Sequence, residues 1–420
     1  MGARHDWQSG PRGHGALVWL VLAIAALSGC GQAAAGPAGA TVPIGASASP
    51  HPSVSPIAGG AVACTSPGSA PDPHISVPSA PHGLFVLAPG PNSPLAGPVT
   101  QFLVSNPDVC GAAIFVNWQQ VDRGPGAIPR YDWSTVQSAT APWEAAGKTV
   151  NLIVWGASEG GTVQRSTPLW VQSQVQMISC DKTAPTPVYW QPGYANNWRT
   201  FIAETINHFA ADPHIGYLRF GLGTGGEGLA SAGTKTPNCL AQWNAVGYQT
   251  LWPAYVRDLI AFEGSLHANH QLMVAINTFD AMPAPMTVAQ EASQNGIGFG
   301  MEGLQASDAA SISAGQPCGQ SNWCAVFNRY AGTVPLHLQT LYQTDPSGAP
   351  ATGSEPKGIV RMGPLPPLLQ AGLAVHAQIF ELYAQDWLIA FDPQYPGYAQ
   401  YHAAYAQAID SAAAVVGTAR

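Results

Sequence analysis

A single carboxylate inside a glycine run is the first candidate for chemistry in this sequence. Residues 215–228 read IGYLRFGLGTGGEG, in which apolar and other side chains alternate from Leu218 to Leu222 before glycines surround Glu227. Alternation of this kind predicts a β-strand with two different faces. A strand that ends in a glycine-enclosed carboxylate indicates a site. The alternative, a tight turn that carries a solvated glutamate, stays open at this point.

Two glycine-rich segments match known motifs but lack the context that those motifs need. Gly221, Gly223 and Gly226 have the Gly-x-Gly-x-x-Gly spacing of a dinucleotide site, yet the loop-like sequence LASAGTKTPNC follows where a helix is required. Residues 156–160, GASEG, match the Gly-x-Ser-x-Gly elbow of hydrolases, but GTVQRSTP does not continue as a helix. We interpret that serine as a loop residue, with an esterase as the lesser alternative.

Carboxylates, amides and aromatic side chains recur near the ends of the predicted strands, although only 9% of residues are charged. The carboxylates are Asp122, Glu159, Glu227, Asp280, Glu302 and Asp386. The amide and aromatic candidates for ligand binding are Asn117, Trp118, Trp155, Asn277, Gln339, Tyr342, Tyr383 and Trp387. Aromatic faces stack on the C–H surfaces of pyranose rings, and amides bind hydroxyl groups. The pattern therefore predicts an uncharged carbohydrate as the ligand.

Strand-like and helix-like segments alternate from Gly83 to the end of the chain. The predicted strands cover residues 83–88, 112–118, 149–155, 215–223, 271–278, 297–302, 334–341 and 379–385. Eight strands, each followed by a helix, predict an α/β protein with the (β/α)8 fold, the TIM barrel. An open doubly wound sheet is the alternative, which the lack of a switch in the regular pattern disfavours.

Successive side chains along each barrel strand point in turn to the helices and into the lumen. On this basis the inward residues are Asn117, Trp155, Arg219, Asn277, Glu302, His337, Gln339, Glu381, Tyr383 and Gln385. Most of them lie toward the C-terminal strand ends, where barrel enzymes place their chemistry. Arg219 and Glu381 could instead form a buried structural ion pair, and for Glu381 this role is at least as well supported as catalysis.

From Gly83 onward the chain resembles the (β/α)8 glycoside hydrolases of the β-galactosidase and cellulase type. The similar features are NWQQVD after the second strand with YDW following it, the Glu227 turn after the fourth, and Trp387 at the end of the eighth. The resemblance implies that Glu227 is the catalytic acid/base. The chain departs from the superfamily pattern at two positions, with Gly226 in place of an asparagine and Gln339 in place of the seventh-strand glutamate nucleophile.

The leading hypothesis is a glycoside hydrolase in which Glu227 protonates the leaving oxygen and Glu302 serves as nucleophile or base. Glu302 is favoured because Gly298 and Gly300 would leave lumen space beside it. The distance between the two carboxyl groups would decide between retention and inversion. The alternative is a non-catalytic carbohydrate-binding protein on a barrel that has lost its nucleophile.

The surroundings of Glu227 give a specific structural prediction. The flanking glycines offer no side-chain cover, so enclosure must come from Trp155 and Asn277 at the ends of neighbouring strands. We expect Glu227 to point into the largest cleft at the C-terminal face, with Trp155 and Asn277 lining the same space. No HExxH or EF-hand pattern is present in the sequence, so it predicts neither a metal nor another cofactor.

The first residues predict export. Arg4 and Arg12 precede an apolar run at residues 16–27, which is too short to span a bilayer and is typical of a secretory signal. The sequence LSGC at residues 27–30 resembles the lipobox of bacterial lipoproteins, which implies cleavage before Cys30 and a lipid on its sulfur. An ordinary secreted protein is the alternative.

These features divide the chain into three segments. They are a lipoprotein signal peptide at 1–29, a disordered tether rich in Ala, Gly, Ser and Pro at 30–80, and a barrel domain at 81–420. The net charge of −8 and the lack of a basic cluster disfavour nucleic acid as a partner. We expect an extracytoplasmic, lipid-anchored monomer that binds carbohydrate.

Cysteine content fits this location. Of the 7 cysteines, six remain after Cys30, and an even number in an exported chain predicts disulfides. Six cysteines allow 15 pairings, so the sequence does not fix the connectivity. The expected pairs are Cys64–Cys110, Cys180–Cys239 and Cys318–Cys324.

Overall fold

The computed structural model describes residues 64, 80–88, 97–158, 166–179, 185–277, 282–319, 321–346 and 362–418. The predicted signal peptide, Cys30 and nearly all of the predicted tether lie outside these residues. The barrel strands are β1 Gly83–Leu87, β2 Gly111–Asn117, β3 Thr149–Trp155, β4 Ile215–Phe220, β5 Gln271–Ala275, β6 Gly298–Leu304, β7 Leu336–Thr340 and β8 Ile379–Tyr383. They form a closed, all-parallel barrel in the order β1-β8-β7-β6-β5-β4-β3-β2. The predicted (β/α)8 barrel is therefore confirmed.

Helices surround the barrel. They are α1 Pro98–Ser105, α2 Trp118–Val121, α3 Ser134–Ala145, α4 Leu169–Gln172, α5 Pro192–Phe209, α6 Pro237–Ala245, α7 Tyr248–Ser265, α8 Pro285–Gln294, α9 Ala306–Ser313, α10 Trp323–Tyr330, α11 Leu365–Ala374, α12 Ala384–Phe391 and α13 Tyr398–Thr418. A short antiparallel pair, Met177–Ile178 with Thr186–Pro187, lies between β3 and α5. No helix in the described part of the chain is long and apolar enough to span a membrane.

The lumen is filled in layers that follow the alternation of each strand. Its N-terminal end is closed by buried apolar and aromatic side chains, Phe85, Tyr217, Met273 and Ile379. Nearer the C-terminal end, the side of β1, β2, β3 and β8 carries Leu87, Ala113, Phe115, Ile153, Trp155 and Tyr383. Between the closed floor and the mouth lies a charged layer on β4, β6, β7 and β8. The N-terminal end of the barrel is therefore closed by packed side chains.

Several strands end earlier than their sequence pattern predicts, by three residues in β4 and β5 and by two in β8. The fourth strand ends at Phe220 because the chain turns through Gly225 and Gly226, whose φ values are 63° and 83°. The eighth strand ends at Tyr383, and α12 begins at the next residue. Gln385 is consequently a helical residue, and its predicted inward position on a strand is wrong.

Two of the predicted disulfides are present. Cys64 is bonded to Cys110, with their Cα atoms 5.3 Å apart, at the N-terminal end of β2. Cys318 is bonded to Cys324, with their Cα atoms 5.7 Å apart, in the segment between α9 and α10. Cys239 is also disulfide-bonded. Its predicted partner, Cys180, lies outside the described residues, so that pairing stays a prediction.

Candidate active site

The loop that carries Glu227 is fixed by its backbone to the strands on both sides of β4. Gly225 N donates to Ala157 O at 3.0 Å, just beyond β3, and Gly228 N donates to Asn277 O at 2.9 Å, just beyond β5. Glu227 itself is only 9% exposed. Glu227 is therefore an enclosed carboxyl group at the barrel mouth, and the interpretation of the glycine run as a turn with a solvated glutamate is wrong.

Gly226 explains why Trp155 lies against this loop. A Cβ atom on Gly226 would lie 2.5 Å from Trp155 Nε1 and 2.8 Å from Trp155 Cδ1. The indole is held from the other side by Phe115, with ring centroids 4.9 Å apart and an interplanar angle of 61°. A side chain at position 226 would collide with Trp155, which explains the glycine of this chain. The glycoside hydrolases that the sequence resembles have asparagine at this position.

Asn277 joins the Glu227 loop to the strand that carries Glu302. Its Oδ1 accepts a hydrogen bond from Glu302 N at 2.8 Å, and its Nδ2 donates to Glu302 O. Its own carbonyl accepts from Gly228 N. Asn277 therefore contacts the backbone of Glu302 and of the residue that follows Glu227. Both polar atoms of its carboxamide are used in hydrogen bonds to the backbone of Glu302, and its predicted role in substrate binding stays a prediction.

Arg219 is the centre of the charged layer. It is 1% exposed, and its Nη2 lies 3.1 Å from Glu302 Oε1 and donates to Gln339 Oε1 at 3.2 Å. Its Nη1 donates to Glu381 Oε2 at 3.2 Å and contacts His337 Nε2. The buried Arg219–Glu381 pair that the sequence suggested is therefore present.

Arg219 also links the two predicted catalytic carboxyl groups electrostatically. The negative charges of Glu302 and Glu227 both act to raise the pKa of Arg219, while its burial lowers that pKa more strongly. Glu302 is 7% exposed, and burial raises its pKa, with Arg219 opposing the increase. One cation therefore faces both candidates.

The space beneath Glu302 is filled, contrary to expectation. The position that a Cβ on Gly300 would take is occupied by the His337 ring, and the corresponding position on Gly298 is occupied by Met273 Sδ. These glycines accommodate neighbouring side chains and leave no room for substrate. The predicted lumen space beside Glu302 is therefore absent at both glycines.

Strand register places Glu302 beside Gln339, the residue at the position where the resembled superfamily has its nucleophile. Glu302 on β6 and Gln339 on β7 are paired residues in the sheet, so their side chains lie at the same level of the barrel. Both contact the same Nη2 atom of Arg219. A carboxylate is thus present at the height of Gln339, one strand away.

Three further candidates lie at the mouth. Asn117 Oδ1 accepts from Ser166 Oγ at 2.6 Å at the end of β2. Tyr383 donates to Leu341 O at 3.1 Å, and burial raises the pKa of its hydroxyl. Tyr342 is half-buried; burial raises its pKa, and the charge of Glu227 adds to the increase. Tyr342 and Glu227 are therefore close enough to interact electrostatically.

Trp118 and Trp387 are not in the lumen, which corrects the sequence-based expectation. Both are fully buried between the barrel and its helices. Trp118 stacks on Phe201 with centroids 5.8 Å apart, and its Nε1 donates to Asp122. Trp387 stacks on Phe391 within α12. Trp118 is the first and Trp387 the fourth residue of the helix that follows a strand, and both side chains lie outside the barrel.

The remaining strand-end carboxylates have structural partners or lie outside the described residues. Asp122 is 2% exposed and accepts from Gly124 N at 2.9 Å and from Arg130 Nε at 3.0 Å. Asp386 is fully buried and accepts from Thr344 N and Thr344 Oγ1. Glu159 and Asp280 lie outside the described residues. Across the described ranges, no group of three His, Cys, Asp or Glu residues is arranged to hold a metal ion.

Sequence reasoning placed Arg219 and His337 in the lumen but did not include them among the site residues. The signal that could have identified Arg219 is its parity, since it shares one face of β4 with Tyr217 and that face points to Glu381. Phe115 was missed altogether, although it precedes Asn117 by two positions on the same face of β2. Both residues lie within their strands, before the last strand residue, and Phe115 is apolar.

Comparisons with known proteins add the following. No family model matches the chain, and no curated protein matches its sequence. Among solved structures, it is similar to the catalytic domain of β-amylase from Paenibacillus polymyxa, with 12% identity, a TM-score of 0.49, and coverage of 76% of this chain and 97% of that chain.

Other similar structures are also carbohydrate-active enzymes by name. For β-galactosidase from the psychrophilic Marinomonas ef1 the identity is 11% and the TM-score 0.45, over 80% of this chain and 62% of that chain. For a glycoside hydrolase family 10 endo-β-1,4-xylanase from Gloeophyllum trabeum the values are 13% and 0.46, over 79% and 95%. At this level of similarity the barrel assignment rests on the strand pairing of this chain itself.

Proposed function

We propose that this protein is a surface-anchored glycoside hydrolase that acts on an uncharged oligo- or polysaccharide. Glu227 is the general acid/base, and Glu302 is the second carboxylate. The observation that carries this proposal is the shared frame of the two residues: Asn277 binds the backbone beside each of them, and Arg219 faces both. Such a frame holds two carboxyl groups at one mouth in fixed relation, which glycosidic cleavage requires.

The proposed reaction uses the two groups in complementary roles. Glu227 gives its proton to the leaving glycosidic oxygen as the bond from the anomeric carbon breaks. Glu302 either bonds to the anomeric carbon or removes a proton from the water that does so. In the first case water then cleaves the glycosyl ester and returns a proton to Glu227. The products are two sugars with one water consumed in either case.

The test is turnover of a panel of neutral glycosides and polysaccharides by the wild type and by Glu227→Gln and Glu302→Gln. Each variant should lose activity by about 10²-fold or more, since each removes a group that acts in the transition state. Glu144→Gln is the matched control, because Glu144 lies near the C-terminal end of α3, at the opposite end of the barrel. Full activity in either site variant would contradict the assignment.

A second function is favoured by one specific observation. Gln339 stands at the position of the seventh-strand nucleophile and accepts a hydrogen bond from Arg219. An amide at this position can bind a ligand but cannot act as a nucleophile. The rival is a carbohydrate-binding protein without turnover. Gln339→Glu separates the two, because it would create activity in a degenerate barrel. In the enzyme proposed here it would place a second carboxylate beside Glu302 and lower activity.

The proposed location is the outer face of the cell membrane, through a lipid on Cys30. Its support is the LSGC sequence at residues 27–30 directly after an apolar run. Metabolic labelling with a fatty-acid analogue should mark the wild type and leave Cys30→Ala unlabelled. An unlabelled wild type found in the medium would favour an ordinary secreted protein.

A further inference from the structure

The loop that carries Glu227 is bound by a side chain from outside the barrel sheet as well as by the neighbouring strands. That side chain is Tyr189, which lies between the short antiparallel pair and α5. We propose that Tyr189 is a positioning residue for Glu227, acting through a hydrogen bond to the backbone of this loop. The consequence for catalysis rests on the function proposed above and deepens it, because it concerns what holds the acid in place.

The chain leaves Glu227 through a buried return limb, residues 228–230. Thr224 N donates to Leu229 O at 3.0 Å, so the loop closes on itself across this limb. Leu229 O also fills the space beside Gly223, where a Cβ atom would lie 2.1 Å from it. Because the return limb begins directly after Glu227 and packs against the start of the loop, a shift of the limb would move Glu227 as well.

The last residue of the return limb is bound by a side chain. The Tyr189 hydroxyl donates to Ala230 O at 3.0 Å, and both residues are fully buried. Removing the hydroxyl would leave the Ala230 carbonyl without this donor in a buried position, which is unfavourable for the closed loop. The hydroxyl of Tyr189 therefore stabilises the return limb in its observed position.

The Tyr189 ring is itself fixed by aromatic side chains of three helices. Its centroid lies 5.1 Å from that of Tyr194 on α5, 6.2 Å from that of Trp243 on α6 and 5.2 Å from that of Trp252 on α7. Trp252 also lies beside the start of the loop, where a Cβ atom on Gly223 would be 2.9 Å from Trp252 Cη2. The helical layer thus presents the hydroxyl to the Glu227 loop at a fixed point.

The same aromatic cluster contains a matched control residue. Tyr255 on α7 is also buried, and its ring centroid lies 5.9 Å from that of Tyr189. Its hydroxyl has no hydrogen-bond partner among the described residues. Tyr189→Phe and Tyr255→Phe therefore remove the same atom from neighbouring rings, but only Tyr189→Phe removes a bond to the Glu227 loop.

Hydrogen–deuterium exchange tests this contact without reference to activity. Tyr189→Phe should raise the exchange rate of the peptide that covers residues 223–231 by about fivefold or more, because opening of the loop no longer breaks the bond to Ala230. Tyr255→Phe should leave the rate of this peptide at the wild-type value. Equal exchange in the wild type and Tyr189→Phe would overturn the proposal whatever the enzyme does.

The consequence for catalysis is tested with aryl glycosides of one sugar that the wild type turns over. A general acid matters most when the leaving group is a poor one, and little when it departs as a stable anion. Tyr189→Phe should therefore lower kcat/KM by about tenfold for the phenyl glycoside and by less than about twofold for the dinitrophenyl glycoside. A general loss of structure would lower both values equally, and Tyr255→Phe should change neither.

Glu227→Gln separates failure of this inference from failure of the proposed function. If Glu227→Gln shows the dependence on the leaving group and Tyr189→Phe does not, Tyr189 does not position the acid and the inference is overturned. If Glu227→Gln lacks this dependence, the assignment of Glu227 as the acid fails and the kinetic consequence fails with it. The exchange rates then still decide whether Tyr189 holds the loop.

Discussion

Gly226 shapes the turn that carries Glu227 in two ways. Its backbone has a left-handed conformation, and its lack of a side chain leaves space for a neighbouring ring. Its φ is +83°, and the Trp155 indole occupies the space beside its Cα. The first feature favours glycine in the Glu227 turn, and the second brings an aromatic ring against the loop. Trp155 is thereby placed against the residue that precedes Glu227.

Gly226→Ala should destabilise the protein and impair the site. The left-handed backbone alone costs about 1 kcal/mol for alanine, and displacement of Trp155 adds to it. Gly126→Ala is the matched control, because Gly126 has φ +90° and no atom within 4 Å of the added Cβ. Urea unfolding should show a larger loss for Gly226→Ala, and turnover should fall only in that variant. Equal losses would show that Trp155 does not constrain the loop.

Asp386 gives a prediction on pH and stability. It is fully buried, and burial raises its pKa from 3.8 to about 7. The folded-state pKa of Asp386 is above that of the unfolded chain. The contribution of this group to stability is therefore fully present below about pH 4 and is lost as the pH rises toward about 7. Asp386→Asn should therefore be more stable than the wild type at pH 8, by up to about 4 kcal/mol, and should have no such advantage at pH 4.

Denaturant unfolding at pH 4, 6 and 8 measures this effect. Asp258→Asn is the control, since Asp258 is exposed on α7 and its replacement should change stability little at any of these pH values. A stability difference between the wild type and Asp386→Asn that stays constant with pH would contradict a raised pKa at this position.

At the scale of elements, Asn277 couples β5, β6 and the Glu227 loop. Asn277→Ala should leave the buried N–H and C=O groups of Glu302 unpaired, at a cost of about 1–3 kcal/mol for each. Since the carboxylate would also lose its fixed position, kcat should fall more than KM changes. Asn269→Ala is the control, because Asn269 donates to Ala210 O in an exposed position at the N-terminal end of β5. A change in KM alone would instead indicate that Asn277 binds the sugar directly.

The same scale shows what the sequence could and could not predict. Period-2 alternation identified all eight barrel strands and put Arg219, Glu302 and Gln339 in the lumen. The prediction failed for Trp118 and Trp387, which lie one and four residues past a strand and are buried against helices. They were predicted to bind ligand as aromatic residues near carboxylates, and strand parity had placed neither of them in the lumen. Parity also cannot tell which inward side chain fills a given space, so the occupation of the space at Gly300 by His337 was missed.

For the whole molecule, the two described disulfides should differ in their contribution to stability. They close chain segments with sequence separations of 46 and 6 residues. In the chain-entropy model these loops correspond to about 4 and about 2 kcal/mol. Replacing Cys64 and Cys110 by alanine should therefore lower the free energy of unfolding about twice as much as replacing Cys318 and Cys324. Equal losses would show that native-state contacts, and not loop closure, determine how much each disulfide contributes to the free energy of unfolding.

The Cys64–Cys110 bond also has a topographical consequence. Cys110 precedes the first residue of β2, so the bond fastens the N-terminal segment to the floor of the barrel. Glu227 and Glu302 lie at the opposite pole, where the strands end. If the chain is held at Cys30 as proposed, the attachment reaches the domain on the side of the floor, and the opening lies at the far end of the barrel from it. An enzyme attached in this way would carry its opening on the side away from the attachment point, where a polymer in the surrounding medium can reach it.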